Sequence, residues 1–539
     1  MTRPRELDVF ACGLDGVNQI EASAGTGKTW NICALYVRLL LEKRLSVEQI
    51  LVVTFTEAAT AELHERIRDR LVGVLRVLDA VLAQLADPES GEVVELEALL
   101  AEGNTLSDVV DLAALTSGDP FIERLFETVI GFGPGYAIGL GEARLRLQHA
   151  VRGFDQAAIH TIHAFCQRAL QEAPFAAGLP FEFELATDDR ALRFETAAEF
   201  WRTQVEPLAA REPGFADWLV DNSVHPEALD MQLARRLKKP LAQVLWGEAV
   251  PQLPGDSGTG TALIQALNDA YLHAAALWRS EQSQIEGVLE QAQPSLKLTS
   301  HKPELVRAAL DAWAAYFAAK RSVSPPAAAL RVSLSALEKA RKKDGVLPEH
   351  PFFAAADTLI AAALAARQWQ GRLWLGLVRL WLSWAPPVLR EKKRARRTVS
   401  FDDLLADLYQ ALVSHAWLAT SIRQRYAAAL IDEFQDTDPL QFEIFTRVFA
   451  PDAANSGSGA PLFLVGDPKQ AIYSFRAADL HTYLAARERA SARYTLAVNQ
   501  RSTALLITAC NQIFSANPEG FILPGLSYEP VRAGSRARP

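Results

Sequence analysis

Residues 21–29 read Glu-Ala-Ser-Ala-Gly-Thr-Gly-Lys-Thr. Glycines at 25 and 27 let a backbone approach an anion closely and aim its N–H groups at it. Lys28 would reach the terminal phosphates of a nucleoside triphosphate, and Thr29 would offer its hydroxyl to Mg2+. Ala22, Ser23, Ala24, Gly25, Thr26, Gly27, Lys28 and Thr29 are therefore the candidate nucleotide cradle, with ATP and Mg2+ as the implied ligands. Ala22 stands where the general pattern has glycine. A chance glycine-rich turn is the competing reading. It is disfavoured because strand, loop, Lys-Thr and helix follow in order.

A second constellation lies hundreds of residues later, where Leu430-Ile-Asp-Glu-Phe-Gln-Asp436 carries an acidic pair at the end of an apolar run. Asp432 would hold the magnesium, usually through water. Glu433 would orient and deprotonate the attacking water. Alone, this stretch reads as an acidic turn after a buried strand; beside the glycine loop it reads as the other half of an ATPase site. Gly466-Asp-Pro-Lys-Gln470 follows a further apolar run, and Gln470 is placed to sense a γ-phosphate or its water. Tyr473 and Phe475 come next, with Arg476 adjacent. Aromatics beside a cation suit base stacking on single-stranded nucleic acid. Core packing is an equal alternative for Tyr473 and the lesser one for Phe475. Arg501, in Asn-Gln-Arg-Ser, could supply charge to a γ-phosphate, although spacing alone favours a surface arginine.

Other candidates weigh less. His160 and His163 have no acidic or cysteine partner at ligand spacing, so no metal pair is expected. The basic run at 390–397 reads first as a solvated helix face and second as a phosphate contact. Trp369, Trp374, Trp381 and Trp384 fall on a largely apolar helix and read as core.

The elements that must position these groups follow from the apolar pattern. A short strand ends at Gln19-Ile20 before the glycine loop, and residues 30–44 have helical periodicity. Residues 49–55 form a continuous apolar run, as in a buried parallel strand, and a helix is expected at 58–78. This order opens an α/β nucleotide-binding domain. The sheet resumes at 427–431, 461–467 and 494–498. Such a domain needs far less chain than lies between the two motifs. Residues 79–150 and 186–390, rich in Ala, Leu, Arg and Glu, therefore read as helical insertions, with loops at 254–261, 322–326 and 453–460.

The chain has 539 residues, a net charge of −9, 49% hydrophobic and 22% charged residues, which suits several soluble domains. The acidic balance neither supports nor excludes DNA, since a local basic groove suffices. Four scattered cysteines suggest neither zinc nor disulfides and fit a reducing cytoplasm. No secretory signal and no membrane span are expected; the most apolar stretch, 373–387, is short and contains Arg379.

Taken together, these blocks resemble the superfamily 1 DNA helicases of the UvrD/Rep type. The likeness runs through residues 22–29, 53–63, 161–165, 431–441, 464–477 and 499–502, with Phe401-Asp-Asp-Leu-Leu before the acidic motif. Within that group the chain is similar to the RecB type, through residues 20–29, 51–63, 159–168 and 194–201. The resemblance implies a RecA-like P-loop motor domain with a parallel sheet, a large all-helical insertion (domain 1B) and the start of a second RecA-like domain. The implied boundaries are 1–185 and 391–497 for domain 1A, with 79–150 inserted, 186–390 for 1B and 498–539 for 2A.

It further implies 3′-to-5′ movement on DNA, RecC-like and RecD-like partner subunits, and DNA contacts from Thr54, Phe55, Thr56, His163, Tyr473 and Phe475. Glu433, Gln470 and Arg501 become the catalytic candidates. Gln500 departs from the aromatic usual at its position, which would weaken adenine stacking. By the same resemblance the sequence corresponds to an N-terminal motor half. The later motifs and a nuclease domain fall outside it, and this part alone is not expected to unwind DNA. An AddA-type helicase-nuclease and a non-catalytic ATP- and DNA-binding scaffold are the alternatives.

Overall fold

The computed structural model describes residues 4–85, 106, 110–131, 135–178, 182–247, 258–319, 324–450, 460–472, 479–517, 520–521 and 523–534. Tyr473, Phe475 and Arg476 lie outside the described residues, as does most of the loop expected at 453–460. The chain divides into two compact units, one of residues 1–187, 238–241 and 397–539, the other of 188–237 and 242–396.

The first unit is built on a seven-stranded, wholly parallel sheet. Its strands are β1 (Arg5–Glu6), β2 (Val17–Glu21), β3 (Ile50–Thr54), β4 (Ile159–Thr161), β5 (Ala428–Ile431), β6 (Leu462–Gly466) and β7 (Ala492–Thr495), in the spatial order β1-β7-β2-β6-β5-β3-β4. β3, β5 and β6 are buried at every residue, as their unbroken apolar sequences require of strands covered on both faces.

Ile20, Ile50, Val52, Leu430 and Val465 face one core, shared with α1 (Lys28–Glu42) and α2 (Glu57–Gln84). Leu51, Val53, Ile431 and Leu464 face the other. That second core is filled from α3 (Ile162–Glu172), α4 (Phe401–Ser414), α5 (Pro439–Phe449) and α6 (Leu480–Arg489).

Crossing from β2 through α1 to β3 leaves room for β5 and β6, which enter from the far end of the sequence. The glycine loop, the residues after β3 and β4, the acidic pair and the Gly466–Gln470 stretch consequently leave strands at the same carboxyl edge of the sheet. This is where open α/β sheets hold ligands.

The strand expected at 494–498 is two strands. β7 ends at Thr495, and Leu496 donates the last hydrogen bond to Glu21, at the end of β2. With no partner left on that sheet, the chain turns. β8 (Val498–Asn499) then pairs in parallel with β9 (Arg532–Ala533) across α7 (Ala504–Ser515).

The second unit is helical. Helices Thr259–Ala292, Pro303–Ala318 and the 45-residue Pro351–Ala395 enclose an aromatic core of Trp278, Trp313, Phe317 and Phe352. The loop expected at 254–261 is helix from Thr259 on. In a separate cluster with Phe200 and Phe215, Trp381 is fully buried, and Trp369, Trp374 and Trp384 are half-buried against it.

The helix Pro351–Ala395 runs on past residue 390, so most of the basic run lies on this unit. There the expectation of a solvated face holds for residues 390, 391 and 394–397, which are exposed, but not for Lys392 and Lys393. Lys393 is buried and pairs with Asp189 at 2.6 Å; Lys392 pairs with Glu199 at 2.7 Å and Arg396 with Glu195 at 2.6 Å. Glu195 and Glu199 of the helix Arg190–Phe200, with Asp189 just before it, supply the carboxylates that pair with these cations.

Candidate nucleotide-binding site

Gly25 and Gly27 have φ of 78° and 89°, the left-handed region that glycine enters without a Cβ penalty. Gly27 is the N-cap of α1 and supplies no side-chain cap. The first N–H groups of α1 are thus left for an anion. Ala22 is buried and does not have positive φ, so the pattern's glycine is unnecessary at that position. Thr26 closes the loop on itself, its hydroxyl donating to the Ser23 carbonyl at 2.6 Å.

Lys28 leaves the first turn of α1 and its ammonium donates to Glu433 Oε2 at 2.5 Å. The two halves of the site, far apart in sequence, are therefore joined. Glu433 itself has φ of 49°, a backbone conformation uncommon for a residue with a Cβ and typical of strained functional turns. Its N–H donates to Asp432 Oδ1 at 2.9 Å.

Burial, and then the charge of Glu433, push the carboxyls of Asp432 and Asp436 up to about 6. Asp436 Oδ1 is buried without a hydrogen-bond partner. Three carboxyls thus crowd one turn around a single lysine. Among the described residues no group of three or more His, Cys, Asp or Glu could hold a metal unaided. A divalent ion here would rely on Thr29, Asp432 and phosphate oxygens, a donor set normal for Mg2+. The residues present fit a magnesium–nucleoside triphosphate.

This crowding has a measurable consequence. The folded protein holds a proton on Asp436 up to about pH 6, whereas an unperturbed carboxyl releases it near 3.8. The raised value contributes stability at low pH that is lost as pH rises through 6. The ligand-free parent is therefore expected to lose on the order of 2 kcal/mol relative to Asp436→Asn between pH 4.5 and 7.5. Urea melts of both proteins at the two pH values measure it; a pH-independent difference would contradict it.

The side of the site that carries Gln470 is built from β6. Asp467, buried at its end, accepts from Gln470 Nε2 at 2.7 Å and from Lys469 Nζ at 2.9 Å. Lys469 also donates to Glu21 Oε1 at 2.6 Å. Gln435 joins this group to the acidic turn, donating to Glu433 Oε2 at 2.7 Å and accepting the Asp467 N–H at 2.9 Å. Gly466 permits that approach, since a Cβ there would lie 2.6 Å from Gln435 Oε1 and 3.0 Å from Gln435 N. Gly466→Ala is expected to cost about 1–3 kcal/mol of stability by overpacking. Chemical denaturation checks this, and an unchanged midpoint would refute it.

Arg501 is brought to the glycine loop. Asn499, buried, donates to the Ala24 carbonyl at 3.0 Å and accepts the N–H groups of Arg501 and Ser502, each at 2.8 Å. The Gln500 N–H donates to the Gly25 carbonyl at 2.8 Å. A Cβ on Gly25 would lie 2.7 Å from Arg501 Cβ. Arg501 is exposed, and among the described residues it has no ion pair. Gln435, Asp467, Lys469 and Asn499 carried no assigned role in the sequence reading. The Gln435–Asp467, Lys469–Glu21 and Asn499–Ala24 contacts join distant segments and left no local signal.

The remaining candidates lie along the same edge. Thr56 is exposed and caps α2, accepting from the Ala59 N–H at 3.1 Å. Phe55 is half-buried. Thr54 is buried with its hydroxyl 2.5 Å from that of Thr60, which places it beneath the surface rather than on it. His163, at the start of α3, packs edge-on against Phe401 at 5.3 Å. Burial lowers its pKa. Among the described residues His160 and His163 belong to no metal cluster, and no helix is long and apolar enough to cross a membrane.

An uncapped glycine-rich turn, its lysine bridged to the acidic strand end, and a polar group on the adjacent strand place this unit among RecA-like P-loop nucleotide-binding domains. A family model described as "UvrD/REP helicase N-terminal domain" matches residues 3–491, and the chain belongs to that family. Membership implies use of ATP.

Among curated relatives, the RecBCD enzyme subunit RecB of Escherichia coli (strain K12) is 34% identical, covering 98% of this chain and 40% of its own length. RecB of Haemophilus influenzae is 30% identical, with 97% and 42% covered. RecB of Mycobacterium tuberculosis (strain H37Rv) is 26% identical, with 92% and 29% covered. The chain spans about two fifths of the length of the first two relatives.

Proposed function

We propose that this chain is the ATP-hydrolysing motor part of a RecB-type DNA helicase, moving 3′ to 5′ on one strand during recombinational repair of double-strand breaks. The observation that carries the reading is the Lys28–Glu433 bridge at the carboxyl edge of the sheet, with Asp432 beside it and Arg501 against the glycine loop. Bound Mg2+ would supply charge neutralisation on the phosphates and fix their orientation.

The chain's own residues do the rest. Thr29 and Asp432 would hold the cation. Gly25 through Lys28 bind the phosphates, which draw Lys28 from Glu433. Glu433, so released, takes a proton from water, while Gln470 and Arg501 orient and compensate the γ-phosphate side. Phe55, Thr56, His163, Tyr473 and Phe475 are the proposed strand contacts, with Thr54 shaping the turn beneath them.

In this reading residues 1–185 and 391–497 form domain 1A, 186–390 form 1B and 498–539 begin 2A. RecC-like and RecD-like subunits are the proposed partners. The cytoplasm is the proposed site of action, and all four cysteines are free thiols.

ATP turnover by the full-length protein, with and without single-stranded DNA, tests this proposal. Stimulation of at least tenfold is expected, by analogy with motors whose site completes on binding. A rate indifferent to DNA would favour the scaffold reading.

A further inference from the structure

We infer that Gln435 is a positioning residue that holds the general base and ties it to the γ-phosphate-sensing strand. This rests on the ATPase reading above. Gln435 is 3% exposed and its amide is used at both ends. Nε2 donates to Glu433 Oε2 at 2.7 Å, and Oε1 accepts the Asp467 N–H at 2.9 Å. Nε2 also lies 3.4 Å from Asp436 Oδ2. Beyond Asp467 the network continues to Gln470, Lys469 and Glu21. One side chain therefore bridges two strand ends that are not joined by local sequence.

The need for such a bridge follows from Glu433. Its left-handed backbone is held by the surrounding contacts rather than by intrinsic preference. In the ligand-free protein two donors, Lys28 and Gln435, hold the same carboxylate oxygen. Phosphates that recruit Lys28 remove the first. Gln435 then remains to aim the carboxylate, and its other end transmits any displacement of Asp467 and Gln470 to it. The residue thus links the state of the sensing strand to the position of the base.

The test is steady-state ATP hydrolysis by the full-length protein with saturating single-stranded DNA, for the parent, Gln435→Ala, near-isosteric Gln435→Glu and Lys28→Ala. KM for ATP is expected to stay within about threefold of the parent in both Gln435 variants. kcat is expected to fall about 10²-fold, the scale of a misplaced reacting group. A purely structural role would instead lower thermal stability and change KM and kcat together. If Gln435→Ala melts early, Gln435→Met, which fills the volume without the amide, takes its place. A parent that turns over while Lys28→Ala does not, with Gln435 variants retaining kcat within about threefold, overturns this assignment alone. A parent no faster than Lys28→Ala overturns the ATPase reading and this inference with it.

Discussion

Lys28→Ala is expected to reduce ATP turnover by at least about 10³-fold and to weaken nucleotide binding in parallel. Lys28 is the cation that the acidic turn holds in the ligand-free state, 2.5 Å from Glu433. Its removal leaves Asp432, Glu433 and Asp436 crowded together without that charge. Incoming phosphates would then meet carboxylates with no ammonium to draw them in. The loss should therefore appear in KM and in kcat. Equilibrium binding of a fluorescent ATP analogue, together with phosphate release, measures both. Binding within about threefold of the parent would show that the phosphates lie elsewhere.

Glu433→Gln is expected to separate the two steps. A neutral amide cannot take a proton from water, and general-base loss costs about 10²–10⁴-fold. Binding should survive or tighten a few-fold, because Lys28 is no longer held by a carboxylate and one negative charge leaves the turn. The variant would accumulate as a nucleotide-bound complex. Rapid-filtration binding and single-turnover hydrolysis distinguish the outcomes. A hydrolysis rate within about tenfold of the parent would remove Glu433 as the base.

The sequence made some parts of this site legible because they are local. Gly25, Gly27, Lys28 and Thr29 lie within five residues, and their roles follow from loop geometry and helix start alone. Asp432 and Glu433 announce themselves at the end of an apolar strand. The parallel sheet was legible for the same reason, since β3, β5 and β6 are unbroken apolar runs.

What escaped were contacts between distant segments. Gln435 meets Asp467 across 32 positions and Asn499 meets Ala24 across 475, with no periodicity to reveal either. The ion pairs of the basic run at 390–397 had no local signal because their acidic partners lie about 200 positions earlier, at Asp189, Glu195 and Glu199. β7 ends short of the expected residue 498 because strand length is set by the neighbour. β2 stops at Glu21, so β7 stops too, although its own sequence would continue. Thr54, at the end of β3, similarly turns its hydroxyl inward to Thr60, a choice made by the following helix start.

A crystal structure of the protein with magnesium and a non-hydrolysable ATP analogue tests the central claim most directly. The triphosphate should lie over Gly25–Thr29, with the Lys28 ammonium moved from Glu433 to its phosphate oxygens and the cation between Thr29 and Asp432. Glu433 should still be held by Gln435. An analogue bound away from the glycine loop, or a Lys28 still paired with Glu433 beside bound phosphates, would contradict it.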